Sequence, residues 1–372
     1  MGRVPTDWDI ATSALPNEIK ACFSHTFDTG IAHGTVTVVY NGNNYEITTY
    51  RIDGKYEDGR HPESVTFTTD IINDLARRDF TINAAAWHPC YGLVDPFGGK
   101  SDIENRIIRG VGNPELRFRE DALRMMRAVR FSGQLGFSIA SETLAAITRN
   151  AKGLRQISAE RIRDEFIKLL LSPHPDRLSL LTETGLIDEG WPLPIKPGAA
   201  EINDSIKPIY ECPKKAALVC AVLFFKREPE EAFQALNAMR FDKQLCRDTS
   251  LLIKWAKTPI INNDYSLRKY LSLCGASYFQ DILTLKRVLK TTDSEILPLI
   301  NARYDRIITN GDCLSIRNLQ ITGDDLLDMG LSGKSIGKAL RYLLDLVLRD
   351  PSLNYNATLK QLMHQHHGFE EV

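Results

Sequence analysis

The sequence predicts an α+β protein in which an α/β segment is followed by helices. In the first hundred residues, VTVVY (36–40) and YEITTY (45–50) alternate β-branched or aromatic residues with others, which is typical of strands. Asn41-Gly42 between them is a common two-residue hairpin turn. From about Asn113 onward the apolar residues recur at helical spacing. We therefore expect a small sheet domain at the start and helical domains after it.

Two later stretches carry the clearest helical pattern. They are ELRFREDALRMMRAVRFSGQLGF, which begins at residue 115, and SAERIRDEFIKLLLS, in which Ser158 is a candidate N-cap. From about residue 175 we expect shorter helices broken by segments such as GWPLPIKPGAA. The pattern thus changes at about residues 113 and 175, and it places the boundaries beyond them only roughly.

Composition narrows the possible functions. The 372 residues are 43% hydrophobic and 25% charged, as in soluble globular proteins, and the net charge is −1. A nucleic-acid partner must therefore be held by local basic patches. The sequence has no apolar run of about 18 residues and no leader pattern, so we expect neither a membrane span nor export. The seven cysteines include no CxxC pair, which favours reduced thiols in the cytoplasm over a zinc site or disulfides.

The stretch DWDIAT contains two carboxylates one residue apart. If it is a strand, Asp7 and Asp9 project from the same face while Trp8 points to the other. Two such anions suit Mg²⁺, which prefers carboxylate oxygen ligands. Glu46, in the alternating strand at 45–50, is the candidate third carboxylate. A solvated surface turn for the two aspartates and an exposed strand position for Glu46 are the alternatives.

Two further motifs concentrate arginine. In LARRDFTINAAA (75–86) we expect Arg78 and Asp79 to open a helix. Arginine at such a place can bind a triphosphate through charge-assisted hydrogen bonds, and the aspartate can accept a hydrogen bond from a ribose hydroxyl. A surface salt-bridge cluster explains this motif equally well. In FREDALRMMRAVRF (118–131), Asp121 and Arg124 are three residues apart on a predicted helix and thus neighbours. Arg127 and Arg130 would continue that stripe, a positive strip that favours an anion over an ordinary surface ion pair.

These motifs together resemble a known family. DWDIAT, GRHPESVTFT, RRDFTINA with GLVDPFGGKSDIENRIIR, REDALRMMRAVRF and ISAERIRDEFIKLL resemble, in order and spacing, the class II tRNA nucleotidyltransferases. These are the bacterial CCA-adding enzymes related to poly(A) polymerase. The motifs cover about residues 2–170, and ITGDDLLDMGLSGKSIGKAL (321–340) is similar to the family's tail. The resemblance implies a polymerase-β-like nucleotidyltransferase head (1–112), a neck (113–175), a body (176–295) and a tail (296–372), the last two binding tRNA.

The resemblance also implies roles for single residues. Asp7 and Asp9 match the metal-binding pair, Arg78 a nucleotide-contacting arginine, and Asp79 the position that senses the ribose. The segment DGKYEDGRHPESV (53–65) resembles the loop associated with adding the terminal A.

In the neck, Asp121 and Arg124 match the pair that reads the incoming base, and Arg127 and Arg130 match further nucleotide contacts. Basic residues after the neck motif are candidates for tRNA phosphate contacts, with a solvated helix face as the alternative: Lys152, Arg155, Arg161, Arg163 and Lys168.

The implied reaction is Mg²⁺-dependent addition of C, C and A to the tRNA 3′ end from CTP and ATP, with release of pyrophosphate. The alternatives are a poly(A) polymerase, an enzyme that adds only CC or only A, and an RNA-binding remnant. The last is considered because the family has a Gly-Gly helix before the DxD motif, whereas this sequence starts at Met1-Gly2-Arg3. A start upstream of the given sequence and a true loss of that helix both explain this; we favour the former because the downstream motifs are intact.

Overall fold

The computed structural model describes residues 8–54, 64–192 and 195–365. Its described residues fall into two compact units. One is drawn from Met1–Ile206 and Ala235–Phe241, the other from Lys207–Gln234 and Asp242–Val372. The division at residues 112, 175 and 295 stays a prediction.

A four-stranded mixed sheet organises the start of the first unit. Its strands are β1 (Asp9–Thr12), β2 (Thr26–Gly30), β3 (Thr35–Tyr40) and β4 (Asn43–Thr49). Their order is β1-β4-β3-β2, with β1 parallel to β4 and the other pairs antiparallel. The predicted hairpin between β3 and β4 is confirmed: Asn41 and Gly42 have φ values of 49° and 76°, the left-handed conformation that such a turn requires.

One face of this sheet is covered by helix α1 (Pro16–Cys22). Ile19 of the helix packs with Val36, Val38 and Ile47, all buried. Because successive residues of a strand point to opposite faces, burying Ile47 turns Glu46 outward. The sheet therefore has an apolar face toward α1 and a second face that carries polar side chains.

Short ribbons and helices follow the sheet in the first unit. Phe80, Leu75, Ala84 and Val111 are buried within this part. The ribbons pair β5 (Arg51–Asp53) with β6 (Val65–Phe67), β7 (Ala86–His88) with β8 (Gly92–Val94), and β9 (Ile107–Ile108) with β10 (Ser138–Ile139), and the helices are α2 (Ile71–Ala76) and α3 (Gly99–Glu104).

The predicted helix over 115–137 is two helices, α4 (Pro114–Glu120) and α5 (Leu123–Leu135). Asp121 separates them with an extended backbone, φ −144° and ψ 103°. The helices that follow in this region are α6 (Ser141–Asn150), α7 (Ala159–Leu170) and α8 (Ser179–Glu183). Ser158 lies at the N-cap of α7 as expected, although its side chain makes no capping hydrogen bond.

The remaining helices are α9 (Ala199–Glu211), α10 (Ala216–Leu223), α11 (Pro229–Ala238), α12 (Lys243–Lys257), α13 (Asp264–Cys274), α14 (Phe279–Val288), α15 (Ile296–Thr309), α16 (Gly323–Asp328), α17 (Lys334–Arg349) and α18 (Asn356–Gln365). An apolar cluster near the end of the chain joins α16, α17 and α18 through Leu326, Leu343 and Leu359. With its sheet-bearing start and helical remainder, the chain has the predicted α+β architecture. None of the described helices has the length and apolar character needed to cross a bilayer.

The cysteines divide by exposure. Cys22 and Cys90 are exposed, whereas the other five are buried. Burial raises the pKa of the Cys220 and Cys274 thiols to about 12. At neutral pH these two are therefore protonated and poorly nucleophilic.

Candidate active site

Two carboxylates meet on the open face of the sheet. Asp9 of β1 and Glu46 of β4 are register partners on parallel strands, so their side chains leave the same face. Both residues are exposed. Glu46 thus lies on the neighbouring strand, as the sequence pattern predicted, while Asp7 lies outside the described residues. Carboxylate oxygens at such an edge fit a hard divalent cation, although the described residues contain no group of three or more His, Cys, Asp or Glu placed to hold one.

The RRD segment (Arg77–Asp79) does not open a helix, contrary to the prediction. Helix α2 ends at Ala76, and the chain after Asp79 makes a 3₁₀ turn over Thr81–Asn83. The amide of Thr81 donates to the carbonyl of Arg109, and the amide of Val111 donates to the carbonyl of Asp79. These backbone donors and acceptors are thus used in pairing with a distant segment, and Phe80 is fully buried there.

A buried acid holds the two arginines of this segment. Asp74, only 2% exposed, accepts a hydrogen bond of 2.8 Å from Nη2 of Arg77 and lies 3.6 Å from Nη2 of Arg78. The Nε of Arg78 is buried and has no hydrogen-bond partner within the described part of the chain. A buried donor without a partner is rare in folded proteins, and this one belongs to a residue that lines the cleft described below.

Asp121 lies between α4 and α5 and does not share a helical face with Arg124. Its Oδ1 accepts a hydrogen bond from the backbone N–H of Leu123 at 3.0 Å, and its Oδ2 accepts one from Nη2 of Arg161 at 2.7 Å. The expected helical Asp121/Arg124 pair is therefore wrong. The Asp121 carboxylate bonds instead to the Leu123 amide and to Arg161 of α7. Arg161, a candidate for contact with tRNA phosphates, thus bonds to this carboxylate, and its contact with tRNA stays a prediction.

Arg124 is fixed by a different set of groups. It is 9% exposed, and its Nη1 donates to Oε2 of Glu120 at 2.8 Å. Its Nη2 donates to the backbone carbonyl of Arg77 at 2.9 Å. The last contact ties α5 to the RRD segment. Nη1 of Arg124 also donates to the backbone carbonyl of Arg117 at 3.3 Å. A guanidinium has five N–H donors, so these three bonds leave two donors for a ligand.

Asp79 and Arg127 form a second link between the same two segments. Arg127 Nε donates to Oδ2 of Asp79 at 2.7 Å, while Oδ1 accepts from the Phe80 amide and from Asn83. Burial by itself would raise the pKa of Asp79. The charge of Arg127 and these hydrogen bonds outweigh burial and lower the pKa below its ordinary value. Asp79 is thus ionised at neutral pH and firmly oriented.

Arg130 is separated from the other predicted residues. Its side chain is buried, and its Nε donates to Oε2 of Glu165 on α7 at 2.7 Å. Its guanidinium also lies 3.6 Å from the centre of the Phe131 ring. The arginine stripe expected along α5 therefore ends at Arg127.

The remaining residues enclose a cleft of about 1030 Å³. One side, here called the sheet wall, carries Asp9 and Glu46; the other, here called the neck wall, carries Asp121, Arg124, Arg127 and Arg161. Arg78 and Asp79 also line the cleft, whereas Arg130 does not. Of the predicted site residues that the structure describes, all but one thus meet in a single space.

Sequence reasoning missed three contributors to this site. Asp74 and Glu120 position Arg78 and Arg124, and Trp87 lines the cleft from β7. Asp74 precedes Arg78 by four residues and Glu120 precedes Arg124 by four, a spacing typical of helical ion pairs. That spacing was available as a signal for both acids, whereas a lone tryptophan offered none.

Other basic residues expected at tRNA phosphates lie outside the cleft lining. Lys152 is exposed, with its Nζ 3.6 Å from Glu189, and Arg163 pairs with Asp164. Arg155 donates to the backbone carbonyl of Glu189. Lys168 is the remaining candidate for a tRNA phosphate contact. Their contact with tRNA stays a prediction.

Two family models match this chain. The model described as "Poly A polymerase head domain" matches residues 1–109, which contain the sheet wall. The model described as "Probable RNA and SrmB- binding site of polymerase A" matches residues 136–192, which contain Arg161.

Among curated relatives, the CCA-adding enzyme of Geobacillus thermodenitrificans is 57% identical over 187 residues, covering 50% of this chain and 46% of the relative. The chain thus spans less than half the length of that relative and of others like it. The CCA-adding enzyme of Pediococcus pentosaceus is 36% identical over 358 residues, covering 95% of this chain and 87% of the relative.

Solved structures give the same picture. The CCA-adding enzyme of Bacillus stearothermophilus in complex with CTP superposes with a TM-score of 0.80 and 33% identity, covering 98% of this chain and 89% of that one. The Thermotoga maritima CCA-adding enzyme complexed with tRNA shares the fold at a TM-score of 0.60 and 22% identity. A nucleotidyltransferase head of this kind implies a divalent metal ion. Similarity at this level over nearly the whole length places the chain in the family of CCA-adding enzymes.

Proposed function

We propose that this protein adds C, C and A to the 3′ end of tRNA, using CTP and ATP and no template strand. The observation that carries the proposal is the cleft itself, where carboxylates on the sheet wall face the acid and arginines of the neck wall. The relatives support this reaction, because one CCA-adding enzyme was solved in complex with CTP and another in complex with tRNA. Acting on tRNA would place the protein in the cytoplasm.

In the proposed reaction, the oxygen of the tRNA 3′-hydroxyl forms a bond to the α-phosphorus of the nucleotide. The bond from that phosphorus to the bridging oxygen breaks, pyrophosphate leaves, and the hydroxyl proton passes to solvent. Asp9 and Glu46, with Asp7, would hold Mg²⁺ through carboxylate oxygens. When bound, Mg²⁺ would lower the pKa of the attacking hydroxyl and offset the charge of the triphosphate.

The arginines of the cleft would bind the triphosphate. Arg78 offers a buried Nε without a partner in the described chain, and charge-assisted bonds to phosphate are the stronger kind. Arg127 is already oriented by Asp79, so little further ordering is required when an anion binds. We assign Arg130 to support of α5 through Glu165, since it does not line the cleft.

Asp121 and Arg124 would select the base. C and A both present an amino donor beside a ring-nitrogen acceptor, so a carboxylate can accept from the first and a guanidinium can donate to the second. Asp121 uses part of its accepting capacity on Leu123 and Arg161, and a carboxylate has about four acceptor sites. U and G would each leave a buried polar group unpaired, at a cost of about 1–3 kcal/mol.

We further propose the division of labour implied by the sequence: residues 1–112 carry catalysis, 113–175 select the base, and 176–295 with 296–372 bind tRNA. Removal of the body or tail would then weaken tRNA binding more than nucleotide binding.

A labelled tRNA that ends before its CCA, incubated with CTP, ATP and Mg²⁺, tests the proposed function. We expect growth by three nucleotides and then a stop. A long ladder with ATP alone would instead indicate poly(A) polymerase activity, and extension limited to CC or to A would indicate a divided task. Binding of tRNA without any extension would refute the proposed catalysis.

A further inference from the structure

The β7–β8 ribbon has two chemically different faces. Ala86 and Val94 are register partners and pack on the apolar cluster formed by Leu75, Ala84 and Val111. The next pair along the ribbon, Trp87 and Leu93, therefore points away from that cluster. Trp87 is 70% exposed and Leu93 is 50% exposed. The ribbon thus presents a large aromatic side chain that adds nothing to the core.

The four tryptophans of the chain differ sharply in environment. Trp191 and Trp255 make edge-to-face contacts with other aromatic rings. Trp8 and Trp87 are the exposed pair, and both line the catalytic cleft. A single exposed apolar residue requires no explanation. An indole with most of its surface in water, at a cleft lined by arginine and carboxylate, does suggest a ligand with an aromatic face.

We propose that Trp87 is a stacking platform for the last base of the RNA acceptor, whose 3′-hydroxyl must enter this cleft. The inference rests on the proposed function. Stacking of a base on an aromatic side chain tolerates any sequence, because every base has a π-face. Such tolerance suits an acceptor whose last base changes after each addition.

The composition of the cleft favours the acceptor over the incoming nucleotide as the occupant. Polar recognition of the nucleotide is already provided by Arg78 and Arg127 for phosphate and by Asp121 and Arg124 for the base edge. The cleft volume of about 1030 Å³ lies at the upper end for sites that hold one drug-sized ligand. It therefore has room for a terminal RNA nucleotide beside the nucleoside triphosphate, with Trp87 at that second position.

The test compares Trp87→Ala and Trp87→Phe with a matched control, Tyr91→Ala. Tyr91 belongs to the same ribbon turn and is 82% exposed, but it does not line the cleft. The substrate is an RNA minihelix that ends before CCA, and KM for the minihelix, KM for CTP and kcat are measured separately. We expect Trp87→Ala to raise KM for the minihelix by about 5- to 150-fold and to leave KM for CTP unchanged. Phe at this position should restore most of the affinity, and Tyr91→Ala should behave like the wild type.

A second readout does not depend on turnover. Binding of the minihelix without nucleotide should quench tryptophan fluorescence in the wild type, and Trp87→Phe should lose that part of the quenching. Melting temperatures of the variants should match the wild type because the side chain is exposed. The proposal is overturned if Trp87→Ala raises KM for CTP instead, changes neither KM, or is matched by Tyr91→Ala. If the wild type extends no RNA, the proposed function fails, and the quenching experiment still decides whether Trp87 contacts RNA.

Discussion

The two walls of the cleft differ in how their charges are balanced. On the sheet wall, Asp9 and Glu46 make no side-chain hydrogen bond or ion pair with any other described residue. On the neck wall, Asp121 is bonded to Arg161 and Arg124 to Glu120. Facing carboxylates without a cation repel one another, so the sheet wall gains from a bound metal ion. The neck wall is already neutralised internally and needs no ligand to hold its geometry.

The two walls should therefore respond differently to mutation. Removing a group from the sheet wall should abolish chemistry with little effect on folding, because nothing else depends on it. Removing a group from the neck wall should disturb partners as well, so that selectivity and stability change together. The predictions below test this contrast in order of decreasing effect.

Asp9→Ala should cause the largest loss. Metal-assisted charge stabilisation contributes several kcal/mol to such reactions, so kcat for CTP addition should fall by about 10³-fold or more. The unfolding free energy should change by no more than about 0.5 kcal/mol, as for an exposed residue without partners. Asp7→Ala is expected to abolish transfer as well. Retention of a tenth of the wild-type kcat by Asp9→Ala would contradict a metal role for the sheet wall.

Arg124→Ala should relax base choice. Loss of the donor to the ring nitrogen removes about 1–3 kcal/mol of discrimination, so the preference for CTP over UTP should fall by about 5- to 150-fold. Affinity for tRNA should change much less. Arg119→Ala is the control, because Arg119 lies on α4 and does not line the cleft. If Arg124→Ala still excludes U and G, the templating role is wrong.

Arg161→Ala should have a smaller effect, which lowers the efficiency of CTP and ATP addition. Without its bond to Arg161, the Asp121 carboxylate keeps only its hydrogen bond from the Leu123 amide and samples more orientations. We expect kcat/KM for CTP and for ATP to fall by about 10-fold, the usual scale for loss of one charged hydrogen bond, with partial rescue by Arg161→Lys. Arg119→Ala, which does not change the cleft lining, is again the control. A change confined to KM for tRNA would favour the phosphate contact expected from the sequence.

Asp79→Asn should alter stability and its pH dependence. The substitution weakens the charge-assisted bond to Arg127 and should lower the unfolding free energy by about 1.5 kcal/mol at pH 7. Because the pKa of Asp79 is lowered in the folded protein, its contribution is complete above the unfolded value of about 3.9 and is lost as pH falls through the folded pKa. The stability difference between wild type and variant should thus be constant above about pH 5 and shrink in acid. Denaturant titrations at several pH values measure it, and a difference that grew in acid would contradict the assignment.

Local patterns in the sequence identified those parts of the site that depend on local chemistry. The Asn41-Gly42 turn was predictable because its backbone requirement selects the residues, and strand alternation placed Glu46 on the open face. The break at Asp121 was not predictable, because the apolar pattern continues through it. The Asp121 carboxylate is held there by the Leu123 amide and by Arg161, which is forty residues away in the sequence. The burial of Arg130 was not predictable for the same reason, since its partner Glu165 comes from another helix.

The RRD motif shows a third kind of limit. Arg78 and Asp79 of this motif line the cleft with the other candidates, but the backbone pairs with Arg109 and Val111 and does not form the expected helix. Propensity is a weak guide wherever a distant segment supplies the hydrogen bonds. The local conformation of this motif was therefore not predictable from the motif alone.

The uneven exposure of the cysteines has a practical consequence. Because only Cys22 and Cys90 are exposed, a maleimide dye should react with these two and spare the buried thiols in the native state. Replacing Cys22 by serine would leave one attachment point, Cys90, in the turn of the ribbon that borders the cleft. If RNA enters the cleft as proposed, a dye there would report its binding.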